Sequence, residues 1–429
     1  MNQGKHLLIK EAVIVDPEFP ERDRPLDILI EDGVIRSIGK DISAGEEVEL
    51  IEGEDLHLSA GWFDVGVQVC DPGYEHREDL YSADRAAAAG GYTDIATQPN
   101  TRPVAHSKSE ILYFRRKSGD LLIDCHPIGA VSKDCAGVDI TEMIDMQRAG
   151  AIAFSDGSNS IQNSGLMLRA LQYVQSFDGL LINYPLDRQM SPEGQMHEGS
   201  ISTILGMRGI PDLAEELMVE RDIRLTEYTG SRLHLSNIST AGSVRRIREA
   251  KAQGIRVTAS VAALNLLYDH HKLENFDSNY KLLPPLRSPE DRESLKAGLL
   301  DGTIDFVSSN HVPWDEESKK VEFPYAAFGA IGLETTFSVV RTAFGQTVDV
   351  GDLIRWLAIR PREVLSLPRL EIKEGHAARL TVFSPDEPVV YGEKEMHSKS
   401  RNTPVLGAAL TGRVHACING RRYFVSDRR

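Results

Sequence analysis

Residues 61–73 read GWFDVGVQVCDPG, an apolar run that ends in a turn. Side chains at alternate positions of a strand face the same way. Asp64, Gly66, Gln68 and Cys70 therefore share a face at its tip. Other apolar runs also end in groups that could do chemistry. Asn100 closes one in QPNTRP, Asp156 in AFSDGS, and Tyr184 with Asp187 in NYPLD. His234 and Asn237 lie in LHLSNIST, and Asn310, His311 and Trp314 in SSNHVPW. His126 sits in a further run, too early to reach its tip. A metal-dependent hydrolase needs His, carboxylate or modified Lys at several such tips. Here Asp156 is the plain carboxylate, and His234 and His311 are the nearby imidazoles. Gln68, Asn100, Asn237 and Asn310 are amides, which bind zinc weakly and cannot act as general bases.

Those tips need a scaffold. The apolar runs HLSAGWFDVGVQV, YTDIATQ, DCHPIGAV, AIAFSD, GLLINY, RLHLSNIS, IRVTASV and TIDFVSSN read as strands. Most are separated by helical segments such as EDLYSADRAAAAGG, IPDLAEELMVERDIRLTEYTG and TAGSVRRIREAKAQG. Gly90, Gly91 and Gly150 supply helix stops. This alternation predicts an α/β fold of the (β/α)8 TIM-barrel type, with working residues at the C-terminal strand ends. An open doubly wound sheet is the alternative, but it would need a glycine-rich phosphate loop that is not evident. Both termini are strand-rich. Residues 1–56 and 375–429 are expected to pair into a small β-sandwich domain, with 57–374 as the inserted barrel.

Composition is that of an ordinary soluble chain, 41% hydrophobic and 26% charged. A net charge of −16 argues against nucleic acid or an anionic membrane as the main partner. No apolar run approaches the ~18 residues that suggest a membrane span, and the first residues lack a signal-peptide core. Cys70, Cys125, Cys135 and Cys417 form no C-x-x-C pair and are expected to be free, in a cytoplasmic setting.

Several segments carry a resemblance: RAAAAGGYTDIATQPNTRPV, GAIAFSDGS, QMHEGS followed by GIP, YKLLPPLRSPEDRESLKAGLLDGTIDFVSSNHVPW, AFGAIGLET and NTPVLG. With them the chain resembles the dihydroorotase branch of the cyclic amidohydrolase superfamily over nearly its whole length. The resemblance implies an amidohydrolase-type barrel, dihydroorotate as substrate and one or two zinc ions in the mouth. It also implies D-x-H-x-H-x-R in the first strand, where this chain has Gly66, Gln68 and Cys70. The bridging carboxylate matches Asp156. Ligand histidines of the fifth and sixth strands are matched by Tyr184 and Asn237, and the catalytic aspartate by Asn310. Among substrate contacts Asn100 and His311 match, whereas Cys70 and Leu283 stand for an arginine and an asparagine, and Ala262-Ala263-Leu264-Asn265 for T-P-H-H.

Zinc affinity falls ~10–100-fold when even a supporting partner is lost. Losing a general base removes a further ~10²–10⁴-fold in rate. The sequence therefore reads first as a non-catalytic homologue with no catalytic residue, metal or cofactor. The resemblance implies that such a chain would work through protein contacts, for example with aspartate transcarbamoylase, and as a homodimer. The alternative is an active cyclic amidohydrolase with an altered or metal-free site, zinc entering only there. A relocated site from Asp156, His311 and Cys70, or a Cys70 nucleophile served by His76 or His311, belongs to that alternative. Tyr184, Leu264, Leu283 and Trp314 are expected to fill the former pocket, and His197 to be structural.

Overall fold

A computed structural model describes residues 2–3, 6–20, 24–43, 45 and 48–426. Each of the apolar runs becomes a strand: β1 Trp62–Val67, β2 Tyr92–Thr97, β3 Asp124–Gly129, β4 Ala153–Phe154, β5 Leu180–Asn183, β6 Arg232–Leu235, β7 Val257–Ala262 and β8 Phe306–Ser308. They pair in chain order as one parallel 8-stranded sheet. Helices follow most strands, among them Leu80–Ala89, Asp212–Thr229, Ala241–Ala252 and Pro289–Leu300. Strands and helices share one large apolar core, with Ile95, Leu181, Leu233, Val261 and Val307 buried in it. Among the described residues no helix is long and apolar enough to cross a membrane.

The ladder stops at β8, and side chains complete the ring. Ser309 N–H donates to Asp64 Oδ1 at 2.9 Å, and the Ser309 hydroxyl donates to Asp64 Oδ2. The Gln68 backbone N–H donates to the His311 carbonyl at 3.1 Å. Asp64 is 1% exposed, and burial pushes its carboxyl up to about 6 against the pull of the Ser309 bonds.

Both termini build a second, 9-stranded sheet. Its order runs Asn2–Gln3, Arg422–Val425, Ala409–Asn419, Arg379–Val390, His57–Ala60, His6–Ile14, Pro25–Glu31 and Val34–Gly39, with Val48–Ile51 beside His6–Ile14. Its own core includes Ile9, Ile28, Leu58, Val382 and Ile418. The strand His57–Ala60 lies in this sheet, paired with Arg379–Val390 and His6–Ile14, so the barrel begins after it and not at residue 57. The apolar run shows no break there because both halves are buried. Only Gly61 marks the crossing: a Cβ there would stand 2.1 Å from Thr93 Oγ1.

Ring packing and a buried charge cluster are among the contacts that join sheet to barrel. Trp62 packs on Phe337 and Phe383, with ring centroids 4.9 and 5.5 Å away. At the opposite barrel end from the mouth, buried Asp94 takes His126 at 2.9 Å, Arg379 at 2.8 Å, and Arg362. Burial works against that carboxylate, but His126 and the two guanidinium groups outweigh it and hold its pKa below the ordinary value.

Replacing Asp64 tests the closure. Asp64→Ala strands two buried donors of Ser309. Each orphaned donor costs about 1–3 kcal/mol, so urea unfolding should show a loss of that order. An unchanged midpoint and slope would mean that the ring closes without it.

Candidate functional site

The C-terminal ends of the strands surround an open cavity of about 480 Å³. Gln68, Cys70, Asn100, Tyr184, Asn237, Leu283 and Asn310 line it, as does Trp314. The side chains expected to fill this space do not: Tyr184, Leu283 and Trp314 form its walls, and Leu264 is buried away from it. Trp314 is held to the side because its indole N–H donates to the Phe328 carbonyl at 2.8 Å. The wall Ala327–Gly329 is fixed from behind by Lys319, whose ammonium donates to the carbonyls of Ala327 and Gly329 at 2.8 and 3.0 Å. Burial, with the neighbouring charge of Lys281, pushes Lys319 down to about 7 against the pull of Asp277.

The amides at the strand tips are largely bound to one another. Ser308 Oγ donates to Asn237 Oδ1 at 2.6 Å, Asn237 Nδ2 to Asn310 Oδ1 at 3.2 Å, and Asn310 Nδ2 to the Leu283 carbonyl at 3.1 Å. This chain ties the ends of β6 and β8 together. Asn237 and Asn310 reach it from left-handed backbone, φ 52° and 48°, a conformation that asparagine tolerates better than most residues. Asn100 bridges β2 to β4: its Nδ2 donates to the Asp156 carbonyl at 3.0 Å, and its Oδ1 accepts from Ser158 N–H at 3.1 Å.

Gly66, Asp156 and His311 do not line the cavity. Asp156 turns toward β3 and takes Ser132 N–H at 2.8 Å and its hydroxyl at 2.5 Å; burial raises its pKa. Glu215 holds Ser239 in the same way. His311 Nδ1 accepts from Gly332 N–H at 3.2 Å, and its Nε2 lies 3.4 Å from Glu78. It therefore anchors a loop. His234 stacks on Phe306 with ring centroids 4.8 Å apart, between Thr258 and Ser260, and burial pushes it down to about 4. His126 serves Asp94 at the far end.

Asp156 and His311 thus face partners away from the cavity that Cys70 lines, and the relocated site does not form. A Cys70 nucleophile fares no better. Burial pushes its thiol up to about 12, and no hydrogen bond joins it to His76 or His311 among the described residues.

The mouth does not fit a zinc ion. Gly66 has no donor, Gln68, Asn237 and Asn310 offer amides, and burial raises the phenol of Tyr184. Among the described residues the lining contains no imidazole or carboxylate. The expectation that the chain offers no metal site is nonetheless overturned. His197, Asp212 and Asp291 bring ligand atoms within 4.8 Å of one another, enough to hold a cation. His197 was expected to be structural only. Asp212 opens the helix Asp212–Thr229, and Asp291 lies in the first turn of Pro289–Leu300. Arg287 shares this cluster, 2.9 Å from Asp212, and a cation would compete with it.

Residue types at strand tips did not reveal Arg77, Gln98, Arg188 and Ser236, which also line the cavity. Gln98 directly precedes Pro99-Asn100, and Arg188 follows Asp187, so proximity to a strand end was the available signal.

A family model described as dihydro-orotase-like matches residues 57–243. A dihydroorotase of Pelotomaculum thermopropionicum is 41% identical over 98% of this chain and 99% of its own length. One of Syntrophus aciditrophicus is 37% identical over 98% of this chain and 100% of its own. Among solved structures, the L-hydantoinase (dihydropyrimidinase) from Arthrobacter aurescens superposes with TM-score 0.84 at 21% identity, covering 98% of this chain and 96% of that one. That likeness concerns the fold.

All four thiols are pushed up by burial. At pH 8 a disulfide reagent should modify the folded protein slowly and reach all four cysteines only after denaturation. Fast, selective modification of Cys70 would contradict this picture.

Proposed function

The chain belongs to the dihydroorotase family of the cyclic amidohydrolase superfamily, and from that premise we propose that its barrel mouth binds a cyclic ureide of the dihydroorotate class or the ring-opened acid. The observation that carries this is the open cavity of about 480 Å³ at the C-terminal strand ends, lined by amides and guanidinium groups. Ligand sites of such barrels lie at that face.

Two observations bear on the fate of the bound ring. Full-length identity of 37–41% with proteins named dihydroorotase favours ring-opening hydrolysis, and favours it over a purely structural role. That reading requires an altered site, because no group lining the mouth is a suitable base. The side chains at Gly66, Gln68, Tyr184, Asn237 and Asn310 favour the second reading, a non-catalytic homologue with a regulatory role in pyrimidine synthesis. In that role aspartate transcarbamoylase is the proposed partner, and a homodimer the proposed assembly.

Dihydroorotate is expected to stabilise the protein against thermal unfolding in a concentration-dependent way, by about 2.7 kcal/mol at a hundredfold excess over Kd. No shift with dihydroorotate or carbamoyl aspartate would sink the binding proposal. Metal analysis and a turnover assay on the same preparation separate the two readings. Turnover lost in an Asn310→Ala variant supports hydrolysis at the mouth. Saturable binding without turnover, with co-elution of aspartate transcarbamoylase, supports the non-catalytic role.

A further inference from the structure

The cavity has a charge imbalance that the strand-tip residues do not suggest. Two guanidinium groups line it, and no Asp or Glu does, in a chain of net charge −16. Arg77 is the more telling of the two. It is 9% exposed, its plane lies on the Trp314 ring with Cζ 3.6 Å from the centroid, and its Nε donates to the Pro313 carbonyl at 3.0 Å. Those contacts fix the fork without using its terminal nitrogens. Neither Arg77 nor Arg188 is ion-paired with a carboxylate among the described residues; Arg188, exposed at the rim, donates to the Ser158 carbonyl at 2.7 Å. A buried guanidinium without a counter-charge is costly unless an anion completes it. Its planar fork matches a carboxylate.

A second orphan lies beside the cavity. Gln98 Oε1 is buried and has no hydrogen-bond partner. Gln98 reaches the position above Gly66: its Nε2 lies 3.4 Å from where a Cβ of residue 66 would stand. The bare glycine thus gives its space to an amide from the neighbouring strand end.

We propose that Arg77, seated over Trp314, is the carboxylate-recognition residue of this mouth, so that the site selects a small anionic ureide over its neutral analogue. This rests on the mouth being the ligand site of the function proposed above. It assigns anion recognition to a residue outside the first-strand position held by Cys70.

Isothermal titration with dihydroorotate, with dihydrouracil (the same ring without the carboxylate) and with succinate tests it. Wild-type protein should bind dihydroorotate more tightly than dihydrouracil. Arg77→Gln should weaken dihydroorotate about 10- to 100-fold, the loss of a charged hydrogen-bonding partner, and leave dihydrouracil unchanged. The unchanged dihydrouracil affinity also reports that the variant is folded. Arg77→Lys should recover part of the loss, since it keeps the charge but not the fork. Arg77→Gln weakening both rings equally, or neither, would overturn the assignment. Succinate binding lost in Arg77→Gln, with neither ring bound, would uphold the anion site and sink the ureide reading. Absence of binding by all three would sink both.

Discussion

The barrel depends on how its ring is closed. The backbone ladder carries β1 to β8 and then stops, and the last gap is bridged by a fully buried carboxylate. Asp64 takes both the N–H and the hydroxyl of Ser309, and so fixes the tip of β8 against the tip of β1. That clamp, together with the Gln68 N–H on the His311 carbonyl, positions the polypeptide after β8, which carries Asn310 and His311. The same device recurs. Asp156 holds Ser132 and Glu215 holds Ser239, each through one N–H and one hydroxyl. Buried carboxylates are costly unless fully hydrogen-bonded, and these serines supply the bonds.

Those clamps have a chemical consequence. A carboxylate bound by two donors from a neighbouring loop is turned sideways and is not offered to the cavity. Asp156, the one tip carboxylate that matches the family pattern, is therefore absent from the lining. The imidazoles are engaged too, His311 with Gly332 and Glu78, His234 in the barrel interior. The polar groups that remain at the mouth are neutral amides, hydroxyls and a thiol, with two positive guanidinium groups. The cavity is thus suited to hold an anion with N–H groups. Among the described residues, a donor set suited to a cation gathers instead around His197, Asp212 and Asp291.

Full-length similarity and local chemistry pull in different directions here. Identity of 37–41% is counted over nearly the whole chain. The residues that would hold a metal or move a proton are a handful, and their replacement barely changes such a score. A fold can thus be retained while the groups at its mouth change.

Much of the architecture was legible in the sequence. Strands buried on both faces leave apolar runs, and amphipathic helices between them leave a different period, so the barrel and the strand-rich termini emerge from pattern alone. The identity of each strand-tip residue was equally plain, because position along a strand sets which tip it reaches. Other features came only with the tertiary structure. The break at Gly61 is invisible because burial continues across it. The direction of Asp156 and His311 depends on loops that are distant in sequence. Arg77 and Gln98 became visible only when Trp314 and Gly66, from other segments, gave one a surface to lie on and the other a space to enter. Hydrophobic patterning is local and survives in one dimension. Which polar group meets a cavity and which is consumed by a neighbour is decided by contacts between segments, and these exist only once the barrel has closed.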